Sequence, residues 1–129
     1  MYVCVRAQGA PPHYHCDSVN TLIGGRKRWL LLPPAQALYT NLHPLDWLKE
    51  HFNESLANKL ISSSESDIDA QWSREDFESM LEDAALDKRM SVCDQVEGDM
   101  FYIPAFYGHA TINTRESIGL AYEFDRGDC

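Results

Sequence analysis

Apolar and polar positions alternate from Tyr2 to Arg6, and a run rich in Val and Tyr with that period reads as a strand. Gly9-Ala10-Pro11-Pro12 bends the chain, since positions before a proline are biased away from helix, and His13 to Asp17 reads as extended. Gly24-Gly25 is a turn signal. It is followed by Arg-Lys-Arg-Trp-Leu-Leu-Leu and then Pro33-Pro34, a strand with hard punctuation at both ends. To this point the pattern is all-β.

The middle of the chain changes period. Pro44 stands where a first helical residue would, Leu45, Leu48 and Phe52 recur at helical spacing, and Trp47 lies beside them. Ser62 to Asp67 is a polar linker. Ser73 and Asp76 resemble a capping box, and Phe77, Met80, Leu81 and Ala84 form one apolar stripe. Helices are therefore predicted over 44–60 and 74–88, within an insertion at about 44–90. Strand character returns at Met100–Ile103, Ala110–Asn113 and Ile118–Phe124. Strands, a helical insertion and strands again predict a mainly β fold, a sandwich or barrel with an inserted lid, and exclude a Rossmann-type α/β fold.

Length allows a single domain, residues 1–129, with a real hydrophobic core. The 20 acids outweigh 11 bases, for a formal charge of -9, which argues against nucleic-acid phosphates or anionic lipid as partners. The imbalance is local: residues 54–99 hold 13 acids and four bases, leaving seven of each elsewhere. The acidic run reads as the solvated face of the helical insertion, and if it lay near a pocket it would repel nucleic acid and tolerate a basic peptide. No apolar stretch is long enough for a membrane helix, and the N-terminus lacks the pattern of a signal peptide. Cys4, Cys16, Cys93 and Cys129 show no CxxC spacing, so reduced thiols in an intracellular protein of cytoplasm or nucleus are expected.

The histidines concentrate in two segments. In an extended His13-Tyr14-His15-Cys16-Asp17, alternate side chains share a face, so His13, His15 and Asp17 sit about 7 Å apart or less, a donor set suited to a first-row transition metal. The second segment runs from Gly98 through Pro104 to His109 and Asn113. Its spacing resembles the second conserved motif of the cupins, except that Phe106 stands where a small residue is usual. Phe106-Tyr107-Gly108-His109 after Pro104 is also similar to a signature of the jumonji C (JmjC) oxygenases. Gly25-Arg-Lys27-Arg-Trp-Leu-Leu-Leu-Pro-Pro34 resembles a strand of JmjC and cupin-8 proteins, the most specific match in the chain.

The resemblance spans nearly the whole sequence. It implies a double-stranded β-helix (jelly-roll) holding Fe(II), with 2-oxoglutarate and O₂ as co-substrates, that hydroxylates or demethylates a protein or small-molecule substrate. It also implies that Lys27 pairs with the distal carboxylate of 2-oxoglutarate. Strand alternation puts Lys27, Trp29 and Leu31 on one face and Arg26 and Arg28 on the other. Asn20, with Thr21, is a candidate to face the co-substrate, and Asn113 a candidate to support the metal pocket. Tyr14 and Tyr107 read as core aromatics, His43 and His51 as solvent-facing.

Two departures stand out. The family's proximal motif is His-x-Asp, and two registers compete here: His15 with Asp17, or His13 with His15. His13 lies 14 positions before Lys27 and His15 only 12, and the longer spacing is nearer the family's. His13, His15 and His109 are the favoured ligands, with Asp17 as a fourth or alternative carboxylate. An all-histidine site puts 2-oxoglutarate chemistry in doubt, which keeps a non-catalytic binding module and a metal-dependent cupin enzyme without 2-oxoglutarate in play. The other departure is the missing flank ahead of Tyr2, which calls for a fragment, a homodimer or a minimal barrel whose insertion covers its edge.

Overall fold

Gly25 is where the chain changes sheets. Its φ of 91° is open to glycine, and a Cβ there would lie 2.0 Å from the Glu116 carbonyl oxygen. The strand before it, β2 (Asp17–Gly24), belongs to one antiparallel sheet. The strand after it, β3 (Arg26–Leu32), belongs to another. The computed structural model describes residues 2–4, 8–51, 58, 91–125, 127 and 129. Its other strands are β1 (Tyr2–Cys4), β4 (Ser91–Val96), β5 (Met100–Ile103), β6 (Gly108–Asn113) and β7 (Ser117–Phe124). A 3-10 turn (Pro34–Gln36) and one helix, α1 (Pro44–His51), follow β3.

The four-stranded sheet has the order β1-β7-β2-β5 and the three-stranded sheet the order β4-β3-β6. The result is a mainly β, sandwich-like arrangement consistent with a jelly-roll. Register fixes the faces. In β2 and β7 the pairs Ser18↔Glu123 and Asn20↔Ala121 turn toward the second sheet. In β3 and β6 the pairs Lys27↔Asn113 and Trp29↔Thr111 turn back toward the first. Trp29 stacks on Phe101 of β5 at 4.9 Å between centroids, joining the two layers.

The other face of the three-stranded sheet is apolar. Leu30, Leu32, Ala110 and Ile112 are buried there, and α1 packs against β6. Trp47 and Leu48 are buried on α1, each worth roughly 2 kcal/mol of apolar burial. This is why every residue of β6 is buried: one face lines a cavity and the other lies beneath a helix.

The predicted strands at 100–103, 110–113 and 118–124 are present, the last two starting a residue or two earlier. Two strands escaped the periodicity. β2 carries Ser18 and Asn20 on its inner face because that face lines a polar cavity. In β4, Asp94 is held by Arg26 and Arg28, and Gln95 is buried. Gln95 accepts from Trp29 Nε1 at 2.9 Å and donates to the Asn20 carbonyl at 2.9 Å. Of the predicted helix at 44–60, Pro44–His51 is helical, as is residue 58, and the remainder, like the helix predicted at 74–88, lies outside the described residues. His43 and His51 are exposed, as expected.

The cysteines need a correction. Cys16 and Cys129 form a disulfide across 113 positions, so the expectation of reduced thiols fails for this pair. Folding brings the two Cα atoms within 5.7 Å, which spacing along the chain cannot reveal. Cys93 is a free cysteine; burial, and then the charge of Asp94, push its thiol above the usual range, away from reactivity. No helix of the described residues is long and apolar enough to cross a membrane.

Candidate metal centre

Three histidines meet between the sheets. His109 comes from β6. His13 is carried beside it by an isolated antiparallel bridge, and His15 follows two residues on. Ring centroids are 4.2 Å apart for His13 and His109, 4.6 Å for His15 and His109 and 5.4 Å for His13 and His15. One ligand nitrogen from each lies within 4.8 Å of the other two.

The hydrogen bonds set the tautomers. His13 Nδ1 is 2.7 Å from the Pro11 carbonyl, His15 Nδ1 2.8 Å from the Cys16 carbonyl, and His109 Nδ1 3.0 Å from the Tyr107 carbonyl. A carbonyl can only accept, so each Nδ1 carries the proton and each Nε2 keeps its lone pair. Backbone acceptors on the far nitrogen are how metal-binding imidazoles are oriented. His109 is 2% exposed. Its pKa falls to about 4: burial lowers it most, the Tyr107 carbonyl opposes that, and the neighbouring His13 and His15 lower it further. A ring that stays neutral at physiological pH is a ready donor. The three residues therefore fit a first-row divalent ion.

Asp17 is 2% exposed, and its carboxylate accepts from the Tyr102 hydroxyl and, at 3.2 Å, from the Ala105 amide. The chain bends at Cys16, so the alternation that would align Asp17 with His13 and His15 is interrupted there. Phe106, in place of the usual small residue, sits at φ 65°, where a side chain is strained, and its amide donates to the His15 carbonyl at 2.9 Å. That bond ties the turn before β6 to the segment bearing His15.

A cavity of about 280 Å³ opens from the histidines between the sheets. Lys27, Asn20 and Asn113 line it, together with Trp29, Thr111 and Glu123. Lys27 is 4% exposed, with its ammonium 5.5 Å from the centroid of the Trp29 ring. Asn113 is 1% exposed, and neither polar atom of its side chain has a hydrogen-bond partner in the protein. Asn113 thus does not anchor neighbouring backbone; its amide is open to the cavity. Arg26 and Arg28 lie on the opposite face of β3, as alternation predicts, both bonded to Asp94 at 2.7 Å. Thr21 pairs with Leu120 and does not line the cavity. Tyr14 is 44% exposed and meets Tyr39 edge-on, so it is not a core residue. Tyr107 is half-buried.

Glu123 is the residue sequence reasoning missed. In Leu120-Ala-Tyr-Glu-Phe124 the large apolar side chains share one face, which a simple pattern would turn inward. The structure does the reverse. Leu120 and Tyr122 are 46% and 70% exposed, and Ala121 and Glu123 face the cavity.

Fold and site together define a β-sandwich domain with a three-histidine constellation able to hold a metal ion. No family model matches the chain. It is 29% identical over 110 residues to JmjC domain-containing protein 8 of Mus musculus, a distant similarity that covers 85% of this chain. The chain spans 31% of the length of that relative. The relationship to JmjC and cupin proteins read from the motifs is thus met again in a curated sequence.

Proposed function

We propose that residues 1–129 form a single JmjC-type domain, a double-stranded β-helix with a helical insertion at about 44–90, in which His13, His15 and His109 hold Fe(II). The observation that carries this reading is the convergence of three imidazoles whose Nδ1 atoms are committed to backbone carbonyls. We further propose a 2-oxoglutarate-dependent oxygenase acting on a protein or small-molecule substrate. A buried Lys27 in the same cavity supports it, because an ammonium there can meet a ligand carboxylate while the open amide of Asn113, its neighbour across the register, supplies hydrogen bonds. Bound iron would supply the redox chemistry with O₂; the protein orients and shields the ligands.

The second reading is a cupin-like metal protein that does not use 2-oxoglutarate, either an enzyme or a binding module. The commitment of Asp17 to Tyr102 and Ala105 favours it. Exposed Met100, Tyr102, Leu120 and Tyr122 support a homodimer. The Cys16–Cys129 disulfide supports an oxidising compartment over cytoplasm or nucleus.

Anaerobic titration with Fe(II) and then 2-oxoglutarate tests the first reading. A charge-transfer absorption that develops in the wild type and is lost in Lys27→Ala is expected. Iron binding without that absorption would favour the second.

A further inference from the structure

We propose that Glu123 supplies the carboxylate of this metal centre, as a fourth protein ligand beside His13, His15 and His109. The inference rests on reading those three histidines as a metal site.

Position is the starting point. Glu123 sits on the inner face of β7, in register with Ser18, three residues after His15. One carboxylate oxygen is 3.8 Å from His15 Nε2, the nitrogen left with its lone pair. Two donors about 2.1 Å from one ion are about 3 Å apart at right angles and about 4.2 Å apart when opposed. The observed separation from His15 falls inside that span, while the donors that already lie within 4.8 Å of one another are the three histidines, so the carboxylate has to turn inward to join them. The side chain is 62% exposed, so its carboxylate can swing toward an ion without first being stripped of water.

Charge points the same way. Three neutral imidazoles would leave a divalent ion with its full charge in a cavity that also holds the Lys27 ammonium. A divalent ion and an ammonium sharing such a cavity repel each other, and a carboxylate ligand on the ion lowers that cost. Among the described residues lining it, Glu123 is the one acid. Asp17, the acid that the sequence offers for this role, is already bonded to Tyr102 and Ala105.

An ion pair with a protonated His15 is the competing account of the same contact, and a metal separates the two. Co(II) alone is the probe, with affinity read by chelator competition and coordination by visible absorption, on the full chain. In Glu123→Gln the dissociation constant for Co(II) is expected to rise at least tenfold and the visible bands to change in position and intensity. Glu97→Gln, an exposed acid outside the cavity, is expected to leave both unchanged, and circular dichroism checks that each variant is folded. Glu123→Ala, with no amide oxygen to donate, should match or exceed the loss. A variant at Glu123 with wild-type affinity overturns the inference, as does weaker binding with a wild-type spectrum, which would make Glu123 a remote charge. A wild type that takes up no Co(II) overturns the three-histidine reading itself, a result distinct from either.

Discussion

His13 and His109 exchange both of their main-chain hydrogen bonds, at 3.1 Å from the His13 amide and 2.8 Å from the His109 amide, so backbone pairing sets the distance between two of the three imidazoles. The same pairing continues forward along β6 as the partner segment runs back from His13. Thr111 donates to the Ala10 carbonyl at 3.0 Å, and Asn113 to the Gln8 carbonyl at 2.7 Å. Residues 8–13 act as an extra length of strand laid on β6.

Gly9 is where that segment comes closest. A Cβ there would stand 1.7 Å from the Thr111 carbonyl oxygen, so Gly9→Ala must lift the segment off β6 and carry His13 away. Metal affinity should fall more than tenfold and the melting temperature should drop by several degrees. Calorimetry and metal titration check both. An unchanged affinity would mean that His13 is not held by this pairing.

The ligand register separates by substitution. His13→Ala, His15→Ala and His109→Ala should each lose bound metal. Asp17→Ala should keep it but destabilise the fold by about 1–3 kcal/mol, because the Tyr102 hydroxyl and the Ala105 amide lose their acceptor. Metal content by elemental analysis, with urea denaturation alongside, distinguishes the cases. Loss of metal in Asp17→Ala alone would refute the three-histidine set.

His109 makes the metal-free protein sensitive to acid. Unfolded, its imidazole takes a proton near pH 6.5; folded, burial holds that step down to about 4. Between those values the unfolded chain binds the extra proton, so stability falls as pH drops from about 6.5 to about 4 and is fully present above that window. The limiting slope is about 1.4 kcal/mol per pH unit. Urea midpoints at pH 7.5, 5.5 and 4.5 should fall for the wild type and flatten in His109→Gln.

Asp94 joins β4 to β3 by charge. Burial alone would raise its pKa, but the hydrogen bonds and charges of Arg28 and Arg26 outweigh that and hold the carboxyl below its usual range. Asp94→Ala leaves Arg28, itself 6% exposed, without this partner. The cost should be about 2–4 kcal/mol in denaturant unfolding, with little change in metal binding because the arginines face away from the cavity. The wild-type contribution is lost only as pH falls through the lowered pKa, below the window where His109 acts.

Local chemistry determined much of this molecule. Glycine and proline punctuation marked β3, the end of β5 and the turn at Gly24-Gly25. Alternation put Lys27 and Trp29 on one face and both arginines on the other. The resemblance of the His13–His15 and Pro104–His109 segments to cupin and JmjC motifs pointed to a metal site, and the structure brings these histidines together. Such features are legible because they depend on a few neighbouring residues and the period of a strand. Three things depended on contacts between distant segments. Asp17 turned to Tyr102 and Ala105, 85 and 88 positions away, once the bend at Cys16 broke the alternation. Cys16 met Cys129 only when the chain's two ends were brought together. Glu123 faced the cavity, against its apolar neighbours, because a strand's two faces look alike in sequence and only pairing with Ser18 on β2 says which one turns inward.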